Sequence, residues 1–451
     1  MPITSELIDK DLKYIWHPFT QMKDYEKDEK PIIIERGEGI YIWDIEGNRY
    51  IDGISSWWVN VLGHSNTRLN NAIINQLQKI EHVLLAGFSH KPAIELAEKL
   101  INLMPEAITR VFYSDNGSTA VEVALKMAYQ YCVQSGKPQK NKFIALKNSY
   151  HGDTIGAVSV GGVELFHHVY KPLLFDVCQA ESPYCYRCPE GKKADTCKVE
   201  CISSMEKIFQ EHSDEIIGVV VEPLNQAAGG MIIYPSKYLA KVRELCDKYD
   251  ALLIDDEVAM GFGRTGKMFA FEHAEIVPDI VCVAKGLTGG YMPLSATLTT
   301  EKIYKAFYDD YENKKTFYHG HSFTGNPLAA SVALECAKIY EEDKIIEAIQ
   351  PKIKRLKEEM QKLKDNKYVG DIRQIGMVGA IELVRNKETK EEFPLKDRIG
   401  HQIYKEALKR GAIIRPLGNV LYFMPPLIIT EEEIEKLVNI AHESIKAVLE
   451  K

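Results

Sequence analysis

No run of apolar residues in this chain approaches the roughly 18 residues of a membrane span. Its apolar stretches, such as Ile216-Ile217-Gly218-Val219-Val220-Val221, have the length of strands. A basic excess is also missing. Lys and Arg number 56 against 64 Asp and Glu, a formal net charge of −8, which argues against nucleic acid as a partner. The first ten residues, Met1 to Lys10, hold no apolar core of a secretory signal. The expected address is therefore the cytoplasm, with no membrane partner. There is no internal repeat and no low-complexity tract. Tryptophan is rare, yet two of the four stand side by side as Trp57-Trp58.

Cysteine is sparse as well, with nine in 451 residues. Five of them (Cys132, Cys178, Cys246, Cys282, Cys336) sit in apolar segments and read as small core residues. The other four cluster as Cys185-x-x-Cys188, eight residues, then Cys197-x-x-x-Cys201, inside a Pro/Gly/Lys-rich stretch. That spacing suits a tetrahedral thiolate site, two short disulfides or free thiols, and the sequence leaves all three open.

What remains is an ordinary globular composition, 45% hydrophobic and 27% charged, long enough for two or three domains. Residues 1–65 carry short strand patterns joined by Gly-containing turns and are expected to pack with the small domain. From 66 to 330, helical patterns (Asn66–Ile80, Lys91–Leu103, Ser118–Gln134) alternate with strand patterns (Val111–Ser114, Phe143–Lys147, Gly218–Glu222, Leu252–Asp256, Ile280–Ala284, Ser295–Thr300). Such alternation predicts an α/β fold, a mostly parallel central sheet with helices on both faces. Residues 331–451 read as a smaller α+β domain. Its pattern is a long helical stretch to about Lys364, strands near Met377–Val384 and Val420–Phe423, and helices near Arg398–Lys409 and from Glu431.

Chemistry-bearing residues fall where buried strands run out, the edge at which open α/β sheets bind ligands. Lys285 follows Ile280-Val281-Cys282-Val283-Ala284 and precedes Gly286-Leu287-Thr288-Gly289-Gly290; Asp255-Asp256-Glu257 closes Leu252-Leu253-Ile254. A lysine drawn half out of water is a nucleophile toward carbonyls. A lysine Schiff base plus an acid on a pyridinium nitrogen is the protein's share of pyridoxal phosphate chemistry. Asp255 and Asp256 point to opposite faces, so only one meets a ligand. Asn116-Gly117-Ser118-Thr119 opens a helix after a strand, which suits a phosphate or an ordinary cap. Tyr150 suits ring stacking or core packing, Trp57 and Trp58 an apolar wall, and Arg415 a carboxylate clamp or a surface ion pair.

Together these residues resemble the class III pyridoxal-phosphate aminotransferases of fold type I. The stretch from Leu252 to Gly266 matches the family signature, Lys285 stands at the expected distance, and the likeness spans nearly the whole chain. Trp16 to Met22, Asp52 to Trp58 and Arg415-Pro416-Leu417 narrow it to members that aminate 8-amino-7-oxononanoate to 7,8-diaminononanoate for biotin. Ala259, where many members have glutamine, agrees. The alternative is another ω-amine aminotransferase, acting on ornithine, 4-aminobutyrate or a diamine. The resemblance implies pyridoxal 5'-phosphate as cofactor, a Schiff base on Lys285, Asp256 on the pyridine nitrogen, and Gly117 and Ser118 on the phosphate. It implies Tyr150 against the ring and the substrate, and His321 and Ser322 completing the cofactor site across a homodimer with shared active sites. Trp57, Trp58, Tyr150 and Gly320 would line the pocket of a small-molecule substrate, and Arg415 would receive its carboxylate. Phe19, where adenosylmethionine-using members commonly carry tyrosine, and His321-Ser322, where those members have Pro-Thr, leave the amino donor open between S-adenosylmethionine and lysine.

Overall fold

The computed structural model describes residues 3–28, 30–193 and 196–450. A seven-stranded sheet forms its centre, in the order Ile108–Ser114, Ser295–Thr300, Ile280–Val283, Leu252–Asp256, Ile216–Val221, Lys142–Leu146, Val177–Ala180. Leu252–Asp256 pairs parallel with Ile280–Val283 on one side and Ile216–Val221 on the other. Ser295–Thr300 runs antiparallel to both of its neighbours. The three central strands are buried along their whole length. This is why they read as unbroken apolar runs rather than alternating ones.

Alternate residues feed two cores. Leu252 and Ile254 join Val121, Ala124 and Ala128 of helix Gly117–Gln134, whereas Leu253 joins Leu239, Val242 and Cys246 of helix Ser236–Lys248. By the same alternation Asp256 faces the side of helix Gly117–Gln134, and Asp255 the other. Pairing directions bring the ends of five strands, at Ser114, Leu146, Val221, Asp256 and Val283, to one edge of the sheet.

A second sheet, Ile34–Glu38, Tyr41–Asp44, Arg49–Asp52 and Ala412–Ile413, joins the N-terminal segment to the C-terminal part of the chain. A third is antiparallel, Val369–Ile375, Val378–Leu383 and Val420–Phe423. The long helical pattern after Pro327 is three helices, Pro327–Glu342, Ile345–Ala348 and Gln350–Gln361. The first break falls at Lys344, whose backbone is left-handed (φ 47), and the second just before Pro351, whose ring suits the start of a helix. Strands Val177–Ala180 and Val369–Ile375 went unread, because both are half-exposed and carry polar residues where a buried strand would not.

Arg264 locks these parts together. Its buried guanidinium donates to the carbonyls of Pro425 (2.7 Å), Asn60 (3.1 Å) and Trp58 (3.3 Å), so one side chain ties the N-terminal segment to the C-terminal part. Burial pulls its pKa down to about 10.

Candidate active site

The sheet edge gathers Asp256, Lys285, Glu222 and the Tyr150–Thr154 turn around a cavity of about 380 Å³. Asp256 is buried, with Oδ2 2.7 Å from His151 Nδ1 and Oδ1 accepting from the Val258 N–H at 3.1 Å. Burial disfavours charge on His151, but the hydrogen bond and charge of Asp256, helped by Glu222, hold its pKa above the ordinary value. His151 Nε2 is buried with no hydrogen-bond partner among the described residues. The two groups form a rigid acid and imidazole pair on the cavity wall. Glu222 is pushed up to about 7 by burial, while accepting from the Tyr150 and Ala227 N–H groups at 2.8 and 3.0 Å.

Lys285 lines the cavity with its Nζ 4.7 Å from the centroid of the Trp58 ring. Burial pulls its pKa down to about 8, against the upward pull of Asp256 and Glu222. A neutral amine is thus within reach near neutral pH, as a nucleophile requires. Its backbone is left-handed (φ 46), a conformation costing on the order of 1 kcal/mol for a non-glycine residue.

The floor of the cavity is the start of helix Gly117–Gln134. A capping box holds it, Asn116 Oδ1 accepting from the Thr119 N–H and Thr119 Oγ1 from the Asn116 N–H. First-turn N–H groups have no partner inside a helix, so they favour an anion. Two glycines keep this floor open. A Cβ on Gly117 would stand 2.5 Å from Val258 Cγ1, and one on Gly152 (φ +122) 2.0 Å from Ser118 Oγ.

A second cavity of about 660 Å³ shares Lys285, Trp58 and Tyr150 with the first and has apolar walls, including Trp57, Leu165 and Phe166. The four residues Ser55–Trp58 all have positive φ, from 47 to 77, and make a left-handed turn. Such strain persists only where the surroundings fix it. Here Asp52 accepts from the Ser56 N–H (2.9 Å) and Ser56 hydroxyl (2.7 Å), the Ser55 hydroxyl donates to the Met424 carbonyl (2.7 Å), and Trp58 Nε1 donates to the Tyr422 hydroxyl (3.0 Å). Arg415 also lines this cavity and lies 4.3 Å over the Trp57 ring. No described acid pairs with Arg415, although it is half-buried. A guanidinium in the wall of an apolar cavity with no acid on it is a receptor for an anion.

Lys285, Asp256, Gly117, Ser118, Tyr150, Trp57, Trp58 and Arg415 therefore converge on two joined cavities. Gly320, His321 and Ser322 do not. Gly320 and Ser322 are exposed in the loop before Pro327, and His321 faces His319 at 3.3 Å. Sequence reading passed over His151 as a site residue, and it named Glu222 only as the end of a strand. The signal for Glu222 was present, an acid at the end of the apolar strand Ile216–Val221. Asp255 and Glu257 are buried together away from the cavity; burial and the charge of Asp256 raise the pKa of Asp255, and burial and the charge of Asp255 raise that of Glu257. This holds a proton on the pair.

The chain matches the family description Aminotransferase class-III over residues 23–445. The chain belongs to the class-III aminotransferase family. The adenosylmethionine-8-amino-7-oxononanoate aminotransferase of Geobacter sulfurreducens is 50% identical over 446 residues, 99% of this chain and 98% of that one. The protein of that name from Methanocaldococcus jannaschii is 48% identical over 458 residues, again 99% of each. Its crystal structure superposes with a TM-score of 0.94, covering 99% of both chains. An ω-transaminase from Pseudomonas jessenii, solved in complex with PMP, also superposes at 0.94, with 34% identity and 98% of each chain covered.

As a class-III aminotransferase the chain is an enzyme of fold type I, and its cofactor is pyridoxal 5'-phosphate. The residues present fit that group. They offer an anion-binding helix start kept open by Gly117 and Gly152, a buried acid opposite, and a lysine with a lowered pKa beside an aromatic wall.

Proposed function

We propose that the protein transfers an amino group to 8-amino-7-oxononanoate, giving 7,8-diaminononanoate in biotin biosynthesis. The observation that carries this reading is the apolar cavity lined by both Lys285 and the unpaired Arg415. A substrate with its ketone at one end of an alkyl chain and a carboxylate at the other matches those two groups. The 50% identical relative carries that reaction in its name.

Bound pyridoxal phosphate supplies an electron sink that eases loss of a proton from the carbon bearing the amine. The protein supplies the rest. Asp256, braced by His151, presents a negative charge to the pyridine nitrogen. The Gly117–Ser118 helix start takes the phosphate. Lys285 would hold the cofactor, and its amine, with a pKa near 8, suits it to move the proton at the reacting carbon. Tyr150, whose hydroxyl donates to Asp153 at 2.7 Å, lines the cavity and would stack on the ring. Trp57 and Phe166 exclude water along the alkyl chain, and Arg415 fixes its carboxylate.

The donor is S-adenosylmethionine or lysine. Phe19 has no hydroxyl to offer a polar donor, and its ring meets Trp57 and Phe166 edge-on at 5.7 and 5.3 Å. The enzyme works as a cytoplasmic homodimer in which the exposed Gly320–Ser322 loop completes the partner's cofactor site. The test is two half-reactions and one full one. Adenosylmethionine or lysine, given separately, should convert the bound cofactor to its amine form, and the loaded protein should then aminate 8-amino-7-oxononanoate. Likeness to an ω-transaminase at a TM-score of 0.94 supports a second reading, a general ω-amine aminotransferase. Faster turnover with 2-oxoglutarate or pyruvate than with 8-amino-7-oxononanoate would favour it.

A further inference from the structure

The four-cysteine motif takes no part in the site above, yet the fold brings its members together. Cys185, Cys188, Cys197 and Cys201 line one cavity of about 20 Å³, room for about one small atom or ion. None of the four is in a disulfide. Each of the other three acts electrostatically on Cys201. The described residues of the loop that carries them have almost no regular structure.

Three further features of this cavity point to a ligand. The Tyr238 side chain lines it, fully buried and with no hydrogen-bond partner for its hydroxyl among the described residues. A buried donor in that condition is costly unless something accepts from it. The Val199 N–H donates to Cys197 Sγ at 3.2 Å. It does so from a left-handed backbone (φ 68), an outlier for a β-branched residue. Lys192 and Lys193 also line the cavity, where their charge would offset negative charge gathered on sulfur.

We propose that Cys185, Cys188, Cys197 and Cys201 form a binding site for a thiophilic divalent cation of the zinc type. Four thiolates with short spacers are the usual ligand set of such structural sites. Binding replaces four S–H bonds with four metal–sulfur bonds, releases four protons and moves no electrons. Among the described residues no three His, Cys, Asp or Glu side chains stand close enough to hold an ion without movement. Binding therefore draws the loop closed, and the Tyr238 hydroxyl gains a thiolate to donate to.

The closed loop would stiffen a wall of the substrate cavity. Arg187 Nε donates to Glu382 Oε1 at 2.8 Å, and the Tyr184 hydroxyl also bonds Glu382. Arg373 bonds the same acid and donates to the carbonyls of Gly230 (2.7 Å) and Met231 (2.6 Å). Gly229 and Gly230 line the apolar cavity.

The test uses the full-length, cofactor-loaded protein, made without a metal-binding tag. Elemental analysis should find about one zinc per chain, and Cys185→Ser with Cys188→Ser should lower that at least tenfold. A second measurement does not depend on the variant folding. Zinc alone, added to reduced wild-type protein, should protect four cysteines from alkylation, mapped to these positions by peptide mass. Protein that carries no zinc and gains no protection overturns the proposal. So does a native chain four hydrogens lighter than its sequence, which would mean two disulfides. Metal content and alkylation are read without turnover, so either result leaves the aminotransferase reading untouched.

Discussion

Replacing Arg415 with methionine tests how the apolar cavity chooses its substrate. The guanidinium is half-buried, stacked 4.3 Å over Trp57 and paired with no described acid. A hydrogen bond to a charged group contributes about 1.5–3 kcal/mol. At about 1.36 kcal/mol per decade of rate, its loss lowers kcat/KM roughly 10- to 150-fold. Loss of the stacking on Trp57 loosens the wall by about 0.5–1 kcal/mol, roughly two- to fivefold, for any substrate. The methyl ester of 8-amino-7-oxononanoate separates the two effects, because it lacks the charge. Steady-state assays should show the variant losing roughly 10- to 150-fold beyond the stacking cost with the acid. With the ester it should lose only roughly two- to fivefold. The loss should fall mainly on KM, since the contact lies away from the reacting carbon. Equal losses with acid and ester would refute the role given to Arg415.

Lys285→Met should raise the melting temperature of cofactor-free protein at pH 7. The folded amine titrates near 8, below its ordinary value, so the unfolded chain binds more protons between about pH 8 and 10.5. Native stability therefore rises with pH across that window, and the variant's advantage should shrink there, as thermal melts at several pH values would show. Gly152→Ala should leave the fold intact but release pyridoxal phosphate at least tenfold faster on dialysis, because its Cβ would meet Ser118 Oγ at 2.0 Å. Glu222→Gln should abolish an acid-side limb near pH 7 in the kcat/KM profile. Asp256→Asn should leave His151 without its anion and lower kcat by several orders of magnitude, with cofactor still bound.

The sheet was legible in the sequence because its central strands are buried on both faces. Ile216–Val221 and Ile280–Val283 read as unbroken apolar runs, and Lys285 and Asp256 mark where such runs stop. Half-exposed strands such as Val177–Ala180 left no comparable signal. The site was legible where a residue stands at a strand end or in a rare doublet, as with Trp57-Trp58. His151 was harder to place. Its role depends on contact with Asp256 across 105 residues, which no local pattern encodes. The left-handed turn at Ser55–Trp58 was equally hidden, since it is imposed by Asp52, Met424 and Tyr422 rather than by glycine. The phosphate floor was read as a helix start, but the need for glycine at Gly117 and Gly152 comes from Val258 and Ser118 pressing on them.

The most direct test is chemical trapping. Borohydride reduction of the pyridoxal-phosphate-loaded protein, followed by peptide mass mapping, should place a single reduced cofactor on Lys285. Label on another lysine, or none at all, would contradict the account.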